Sequence, residues 1–284
     1  MKFIRTYEVR IQPPTGSGIT IKPPFTFTMD VNREASAQSN TGTFTFKNLG
    51  PSTRNRLTKD RYNTIDYWKI QVFAGYENGS VYELFRGNIA EAYSFKDGAD
   101  WNTNIEAYDA GWAIQNGHVS ETVAGKTSLQ DMVKTVIGSM PELLTGVIGG
   151  DVSGAPALER GQVLLGPSVD VLADLVGEDK IVIDMETVNI LSADEVIGRG
   201  GVQVVDTLLE SPRRRETVLE AVTTFSPEIK MKRLVELRTV DERFSGQYAV
   251  IGIHHAATFS GAECGDARTT LTLDISGSFR EVMT

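Results

Sequence analysis

Polar and apolar residues alternate one by one in many segments of this chain, and this pattern constrains its fold more than any other feature. In residues 25–31, Phe and Met occupy one set of positions and mainly Thr and Asp the other, and residues 43–47 repeat the arrangement with Phe and Thr. Side chains with a period of two lie on opposite faces of a strand. The pattern is typical of strands with one buried and one solvated face, so we expect a β-rich protein.

The last quarter of the chain carries the most specific part of this pattern. Between Phe225 and Leu273, alternating runs are separated by polar turns that contain glycine. This arrangement predicts an antiparallel meander. Strands are expected after residue 201 over 202–208, 217–224, 234–240, 247–258 and 269–275.

The first part of the chain, to about residue 111, has the same β character. Segments 70–76 and 81–89 flank Glu-Asn-Gly-Ser at 77–80, a strong hairpin turn. Segment 101–108 is expected to pair with segment 89–95, and a short helical turn is expected within residues 49–57. About six or seven strands with short connections predict a barrel or a sandwich.

Between residues 112 and 200 the pattern changes to that of a small α+β unit. Thr127 or Ser128 caps a predicted helix that begins at Leu129, with Gln130 or Asp131 at the spacing of a capping box. A second helix is predicted over 168–176, ended by a glycine. A hairpin is predicted over 180–184 and 187–191, closed at 185–186. The sequence therefore predicts a β-rich α+β fold.

Length and charge limit what the protein can do. A chain of 284 residues exceeds one ordinary hydrophobic core, so two or three domains are expected. The net charge of −9 argues against binding to nucleic acid or to an anionic membrane, because both need a basic face. Residues 151–197 contain ten acidic and two basic residues. We interpret this segment as solvated surface or as a face for a basic partner.

Disulfides and targeting segments are not expected. The single cysteine, Cys264, cannot form an intrachain disulfide or a cysteine metal cluster, which fits a reducing compartment. The first residues enter an alternating strand without the apolar core of a signal peptide. No apolar run is long enough to span a bilayer, so we expect a soluble protein with no membrane partner.

His254 and His255 are the most obvious candidates for chemistry, but their spacing argues against a shared metal ion. Adjacent residues of a strand point to opposite faces. The nearby Glu263, Cys264 and Asp266 match no zinc or iron pattern. We expect one imidazole to lie inside the β unit and bond a backbone group, and the other to face solvent.

The remaining motifs give no catalytic site. No serine lies in a Gly-x-Ser-x-Gly elbow, and the glycine-rich run at 198–201 lacks the lysine of a phosphate loop. Asp184 with Glu186, or Asp194 with Glu195, could serve a glycosidase, but nothing in the sequence sets their separation. We predict no catalytic residue, no cofactor and no metal site.

The one compact basic run is Arg213 to Arg215. A solvated loop is the simpler interpretation. The alternative is a contact to an acidic partner or to the acidic segment of a neighbouring subunit.

Several short motifs follow one another in a fixed order over nearly the whole chain. They are Phe-Thr-Met-Asp-Val at 27–31, Gly-Thr-Phe-Thr-Phe-Lys-Asn-Leu at 42–49, Ile-Gln-Val-Phe-Ala-Gly-Tyr at 70–76, Leu-Phe-Arg-Gly-Asn-Ile at 84–89, Thr-Ser-Leu-Gln-Asp-Met at 127–132, Ser-Pro-Glu at 226–228, Gly-Gln-Tyr-Ala-Val-Ile-Gly-Ile-His-His at 246–255 and Gly-Asp-Ala-Arg-Thr-Thr-Leu at 265–271. Their order and spacing resemble those of the baseplate hub proteins of tailed bacteriophages, most closely the contractile-tailed ones.

The resemblance implies a structural function without enzymatic activity. Hub proteins of this kind form a trimeric, pseudo-sixfold ring that joins the hexameric tail tube to the trimeric central spike and lines the DNA channel. The resemblance places one tube-type antiparallel β-barrel at 1–111, an α+β insert at 112–200 and a second barrel at 201–284.

The resemblance also implies partners and a location. It implies a homotrimer in the virion tail baseplate, assembled in the host cytoplasm. The expected partners are the tail tube and central spike proteins, and also the tape measure and wedge proteins, while DNA only passes through the channel. No cell-wall hydrolase domain is expected.

Two functions of other classes stay open from the residues alone. Tyr76, Trp101 and Trp112 would form the sugar platform of a carbohydrate-binding protein if they shared one surface, although barrel cores are the simpler place for them. A carboxylate-dependent glycan hydrolase is the weaker alternative.

Overall fold

Strands predominate in the computed structural model, which describes residues 4–58, 67–198, 201–260 and 265–283. No helix within these ranges is both long and apolar enough to cross a bilayer. The strands are β1 (Arg5–Gln12), β2 (Ile19–Ile21), β3 (Phe27–Glu34), β4 (Thr41–Lys47), β5 (Trp68–Tyr76), β6 (Val81–Asp97), β7 (Asp100–Tyr108), β8 (His118–Val123), β9 (Leu144–Ile148), β10 (Gln162–Pro167), β11 (Ile181–Asp184), β12 (Thr187–Ile190), β13 (Glu195–Gly198), β14 (Gln203–Val205), β15 (Arg213–Arg215), β16 (Val218–Thr224), β17 (Leu234–Leu237), β18 (Gly246–Phe259), β19 (Ala267–Asp274) and β20 (Arg280–Met283). The helices are α1 (Pro51–Leu57), α2 (Gly111–Asn116), α3 (Leu129–Gly138), α4 (Gly150–Ser153) and α5 (Ser168–Val176), with 3₁₀ turns at Glu178–Lys180 and Glu242–Phe244.

The predicted helices and hairpins are confirmed. α3 begins after Ser128, whose hydroxyl accepts the backbone N–H of Asp131 at 3.1 Å, as a capping residue does. α5 covers the predicted segment. The hairpins β5–β6, β6–β7 and β11–β12 form at the predicted turns.

Some strands differ from their predicted lengths. β6 runs unbroken through two predicted segments, because a register shift between Ile89 and Glu91 keeps it paired with β7. β17 ends at Leu237, and Val240 beyond it is fully exposed. β13 and β20 form a parallel pair that local alternation does not predict.

Strands from both ends of the chain form one sheet of 13 strands. Its main path runs β15-β16-β19-β18-β3-β4-β7-β6-β5-β1-β2, with β17 on β18 and β14 on β17. The two halves meet where β3 pairs antiparallel with β18. Over the described ranges this path has two ends and does not close, so the β-rich α+β class is confirmed and the two closed barrels are not. Alternation shows which face of a strand is buried, but it does not choose the neighbouring strand.

Three hydrophobic cores lie beneath these strands. The first fills the space under β1–β7 and also takes Phe225, Ala257 and Phe259 from the last part of the chain. The second lies between α3, α5 and the β11–β12 hairpin. The third lies under β16–β19. The first core therefore contains side chains from both halves of the large sheet.

A buried ion pair ties the central unit to the large sheet. Arg33 on β3 is 3% exposed and donates two hydrogen bonds to the carboxylate of Asp184 on β11, at 2.8 and 2.6 Å. Burial by itself would lower the pKa of Arg33, but the carboxylate of Asp184 raises it overall. Two parallel hydrogen bonds of this kind also fix the orientation of the guanidinium relative to the carboxylate.

Asp109 supports the turn between β11 and β12. Its carboxylate accepts the backbone N–H groups of Met185 and Glu186 at 2.6 and 2.7 Å, and the side-chain amide of Asn40 at 3.2 Å. Both turn residues have positive φ, 50° and 55°, as a type I′ turn requires. Burial, followed by the charge of the nearby Asp184, raises the pKa of Asp109 to about 7, although these hydrogen bonds lower it.

Candidate functional site

One face of the large sheet is left uncovered across both halves of the chain. In β3, burial alternates strictly from Phe27 (buried) and Thr28 (exposed) to Glu34. The strand registers continue this alternation through β4, β7, β18, β19 and β16. We call the uncovered surface the polar face, because side chains with a hydroxyl or an amide occur on every one of its central strands. These are Thr28, Asn32, Thr41, Thr43, Thr45, Asn102, Asn104, Thr224, Thr258, Thr270 and Thr272.

Side chains on the polar face bond to one another across strands. The hydroxyls of Thr28 and Thr258 lie 3.2 Å apart, which links the two halves of the chain. The hydroxyl of Thr45 donates to the side-chain oxygen of Asn104 at 3.0 Å. Threonine is β-branched and suits a pleated surface, so this polar face is compatible with regular strands.

The charges on the polar face have a negative excess. By strand register it carries eight acidic and four basic residues. They are Asp30, Glu34, Glu91, Asp97, Asp100, Glu106, Glu220 and Asp274 against Lys47, Arg213, Arg215 and Arg268.

The two adjacent histidines lie on opposite faces, as predicted. His254 is on the polar face, where its Nε2 is 3.0 Å from a carboxylate oxygen of Asp30. His255 is fully buried, with Nδ1 2.9 Å from the hydroxyl of Thr269. The predicted backbone partner is therefore wrong. The reason is register, because Thr269 lies directly opposite His255 in β19 and presents its hydroxyl to the ring.

Burial of His255 gives the protein an acid sensitivity that can be measured. Burial, then the charges of Arg33 and His254, lower the pKa of this imidazole to about 3. In the unfolded chain this imidazole takes up its proton near pH 6.5, so above that pH its titration does not lower the free energy of unfolding. As the pH falls from there toward 3, the free energy of unfolding decreases by up to about 1.4 kcal/mol per pH unit.

Urea unfolding between pH 7 and pH 4 tests this, with His255→Gln as the variant. The variant is expected to show a flatter pH profile than the wild type. His118→Gln, at an exposed position, should keep the wild-type profile. Equal slopes for the wild type and His255→Gln would contradict the assignment.

The structure does not bring the proposed sugar platform together. Tyr76 donates its hydroxyl to the backbone oxygen of Phe225 at 2.7 Å and packs against the first core. Trp101 is covered by the guanidinium of Arg54, 3.9 Å from the ring centre, and Trp112 packs on Tyr67. Trp101 and Trp112 lie near opposite ends of β7, which is roughly 27 Å long.

Three of the four candidate carboxylates, those of Asp184, Asp194 and Glu195, have structural partners. Asp184 binds Arg33, as described above, and Asp194 binds Arg280. Glu195 is buried and accepts the backbone N–H groups of Gly150 and Ser192 at 2.8 and 2.9 Å. In the part of the chain that the structure describes, no cluster of His, Cys, Asp or Glu is suited to a metal.

Some of the positions singled out from the sequence lie within the described residues and others lie outside them. Arg213 to Arg215, predicted as a loop or a contact, form the edge strand β15. Glu263, Cys264 and part of the glycine-rich run, residues 199–200, lie outside the described residues.

Sequence reasoning missed the buried support formed by Asn40, Asp109 and Arg33. Each is polar and at least nine-tenths buried. The one available signal was Arg33, which occupies a buried position in the alternation of β3. Neither Asn40 nor Asp109 stands inside a periodic segment, so no local pattern marked them.

No protein-family model and no curated protein sequence matches this chain. Solved structures do. The 43 kDa tail protein of prophage MuSo2 from Shewanella oneidensis aligns over 94% of this chain and 98% of its own, with a TM-score of 0.61 and 9% identity. The tail protein from Neisseria meningitidis aligns over 96% and 98%, with a TM-score of 0.58 and 10% identity.

The chain has the fold of phage tail proteins. The same fold extends to the Escherichia coli c3393 protein, a component of the type VI secretion system described as similar to the T4 tail proteins gp27 and gp5. It aligns over 95% of this chain and 78% of its own, with a TM-score of 0.53 and 7% identity. At these identities the likeness establishes the fold alone, and at that level the resemblance stated from the sequence is confirmed.

Proposed function

We propose that this protein is a structural subunit of a phage tail baseplate hub. Three copies form a ring in which residues 1–111 and 201–284 of each copy act as two similar tube-type units, with residues 112–200 as an insert on the outside. The ring joins the hexameric tail tube to the trimeric central spike in the virion baseplate. Three hydrophobic cores that broadly follow these segments support the division.

The observation that carries the proposal is the polar face, which runs without interruption across both halves of the chain. An uncovered sheet face with hydroxyl and amide side chains suits a water-filled channel. Its excess of acidic residues, together with the net charge of −9, lets DNA pass without strong adhesion, since neutralising phosphates requires a basic surface.

The fold also supports the proposed partners and the absence of enzymatic activity. Tail proteins and a type VI secretion component share this fold, which fits a subunit that assembles with other tail proteins. Three of the four candidate carboxylates are held by the arginine and backbone contacts described above. We assign no catalytic role to this chain.

Electron microscopy of the full chain, expressed with the tube and spike proteins of the same phage, tests the proposal. A threefold ring with a central channel lined by the polar face is the expected result. Copies that bind neither protein and show no threefold particles would contradict the hub assignment. A ring with a basic channel would contradict the account of DNA passage.

A further inference from the structure

Residues 207–215 run along one edge of the large sheet, and we call them the edge segment. Residues 207–209 and 213–215 both lie antiparallel to β16, with a bulge at 210–212 between them. Among the described residues, no strand pairs with the outer side of the edge segment.

Two residues of the edge segment direct backbone groups away from the sheet. Leu209 and Thr207 form backbone hydrogen bonds with β16 at 2.8 and 3.0 Å. Bonded and unbonded residues alternate in an antiparallel pair, so the N–H and C=O of Leu208 point outward. A two-residue turn joins β15 to β16, and the same alternation directs the N–H and C=O of Arg214 outward. Over the described ranges these groups have no protein partner, which makes the edge a template for another strand.

A cleft of about 850 Å³ follows the outer side of the edge segment. β14 stays paired with β17 up to Val205, whose C=O accepts the N–H of Arg238 at 2.9 Å. Beyond this bond, residues 206–212 form one wall of the cleft and residues 238–241 form the other. Clefts of about 300–1,000 Å³ are typical of binding sites, and Leu208 lies on the wall of this one.

Apolar side chains on both walls of the cleft are open to solvent. Leu209 is 54% exposed on one wall, and Val240 is fully exposed on the other. Pro212 lies farther along the first wall. A strand added here would cover these side chains and remove apolar surface from water, which favours association.

The arginine run at the end of the edge segment selects the charge of the added strand. Arg213 and Arg215 each have a glutamate partner, at 2.9 and 3.1 Å. Arg214 is exposed, and no carboxylate of the described residues forms an ion pair with it. A guanidinium binds carboxylates, whereas Asp206 disfavours them at the opposite end of the cleft. The matching strand therefore carries carboxylates at the arginine end and apolar residues beside Leu209.

We propose that the edge segment binds an extended segment of another polypeptide by strand addition, with apolar side chains beside Leu209 and Val240 and a carboxylate on Arg214. Backbone hydrogen bonds supply affinity in this mode of recognition, and the flanking side chains supply specificity. A solvated loop and an acidic partner were the two interpretations of the arginine run, and the geometry favours the acidic partner. The site is complete within one chain, so the inference goes beyond the proposed hub and does not rest on it.

Synthetic peptides titrated into the full chain test the proposal. The first probe is acetyl-Thr-Val-Thr-Leu-Thr-Glu-Thr-Glu-amide, and the second has the same residues in reverse order, because a strand can add in either direction. Fluorescence anisotropy is expected to show saturable binding of one labelled probe, and its binding is expected to slow hydrogen exchange within residues 207–215. Binding of neither probe, or binding without slower exchange in the edge segment, would overturn the proposal.

Modified probes separate the backbone contacts from the charge. Methylation of every second backbone nitrogen is made in each of its two phases, and one phase is expected to abolish binding because only alternate N–H groups face the edge. Lysine in place of glutamate is expected to weaken binding by about fivefold or more, because it sets like charges against the arginine run. Full affinity in both methylated phases, or of the lysine probe, would overturn the proposal.

A charge change in the protein gives an independent measurement. Arg214→Glu is expected to weaken binding of the glutamate probe by about fivefold or more and to strengthen that of the lysine probe. Arg160→Glu, the same change at an exposed position of the central unit, should alter neither. Unchanged affinities for Arg214→Glu would contradict the assignment, and exchange in the edge segment that slows with rising protein concentration, without a probe, would overturn it in favour of a second copy. Far-UV circular dichroism establishes that the variants are folded.

Discussion

Replacement of Phe27 by alanine is expected to lower the free energy of unfolding by about 3–5 kcal/mol. Phe27 is fully buried on β3. Its ring contacts those of Tyr7, Phe46 and Phe259, with centroid distances of 4.7, 4.7 and 5.7 Å. Phe259 is its register partner on β18, so the cavity left by the substitution opens where the two halves of the chain meet.

Urea unfolding followed by circular dichroism measures this loss. Phe25→Ala is the matched control, because it removes the same side chain two positions earlier, where Phe25 is 37% exposed. We expect a much smaller loss for the control. Similar losses for the two variants would show that the aromatic cluster does not hold the halves together.

Replacement of Arg33 by methionine is expected to cost about 3–5 kcal/mol, because it leaves the carboxylate of Asp184 in a buried site without its cation. Asp184 is only 14% exposed at its side chain, and the nearby Asp109 is buried as well. Burial already raises the pKa of Asp109 to about 7, and loss of the nearby cation favours the neutral form of that carboxyl group further. We therefore expect the deficit of Arg33→Met to be smaller at pH 5 than at pH 8.

A double-mutant cycle separates the lone charge from the lost contact. Arg33→Met with Asp184→Leu should be more stable than Arg33→Met alone, since no unpaired carboxylate remains at position 184. Arg243→Met, at an ion pair on the surface, should unfold at the wild-type urea concentration. Strict additivity of the two buried substitutions would contradict the role given to this ion pair.

Local pattern predicted the elements of this protein and not their assembly. Alternation in β3 and β4 located both strands and their buried faces, since each strand reports its own burial. The Ser128 cap and the turn at 185–186 were likewise local. The partnership of β3 with β18 was not predictable, because it joins segments far apart in sequence and depends on which edges remain free.

The polar face illustrates the same limit. In each strand, the sequence already showed the threonines at the solvated positions of the alternating pattern. That the rows from both halves form one surface followed only from strand order. Asp109 lay outside any periodic run, and its role arises from a turn that reaches it from the central unit.

The pairing of β3 with β18 sets a delay during synthesis. Thr28 cannot form its hydrogen bond with Thr258 until a further 230 residues have been synthesised. At ribosomal rates this interval is roughly 10–45 s. Throughout it the edge of β3, with Phe27, Met29 and Val31 on one side, has no partner from its own chain, which exposes nascent subunits to mispairing with one another. We therefore expect this protein to be most prone to aggregate on crowded polysomes and as fragments that stop before residue 246.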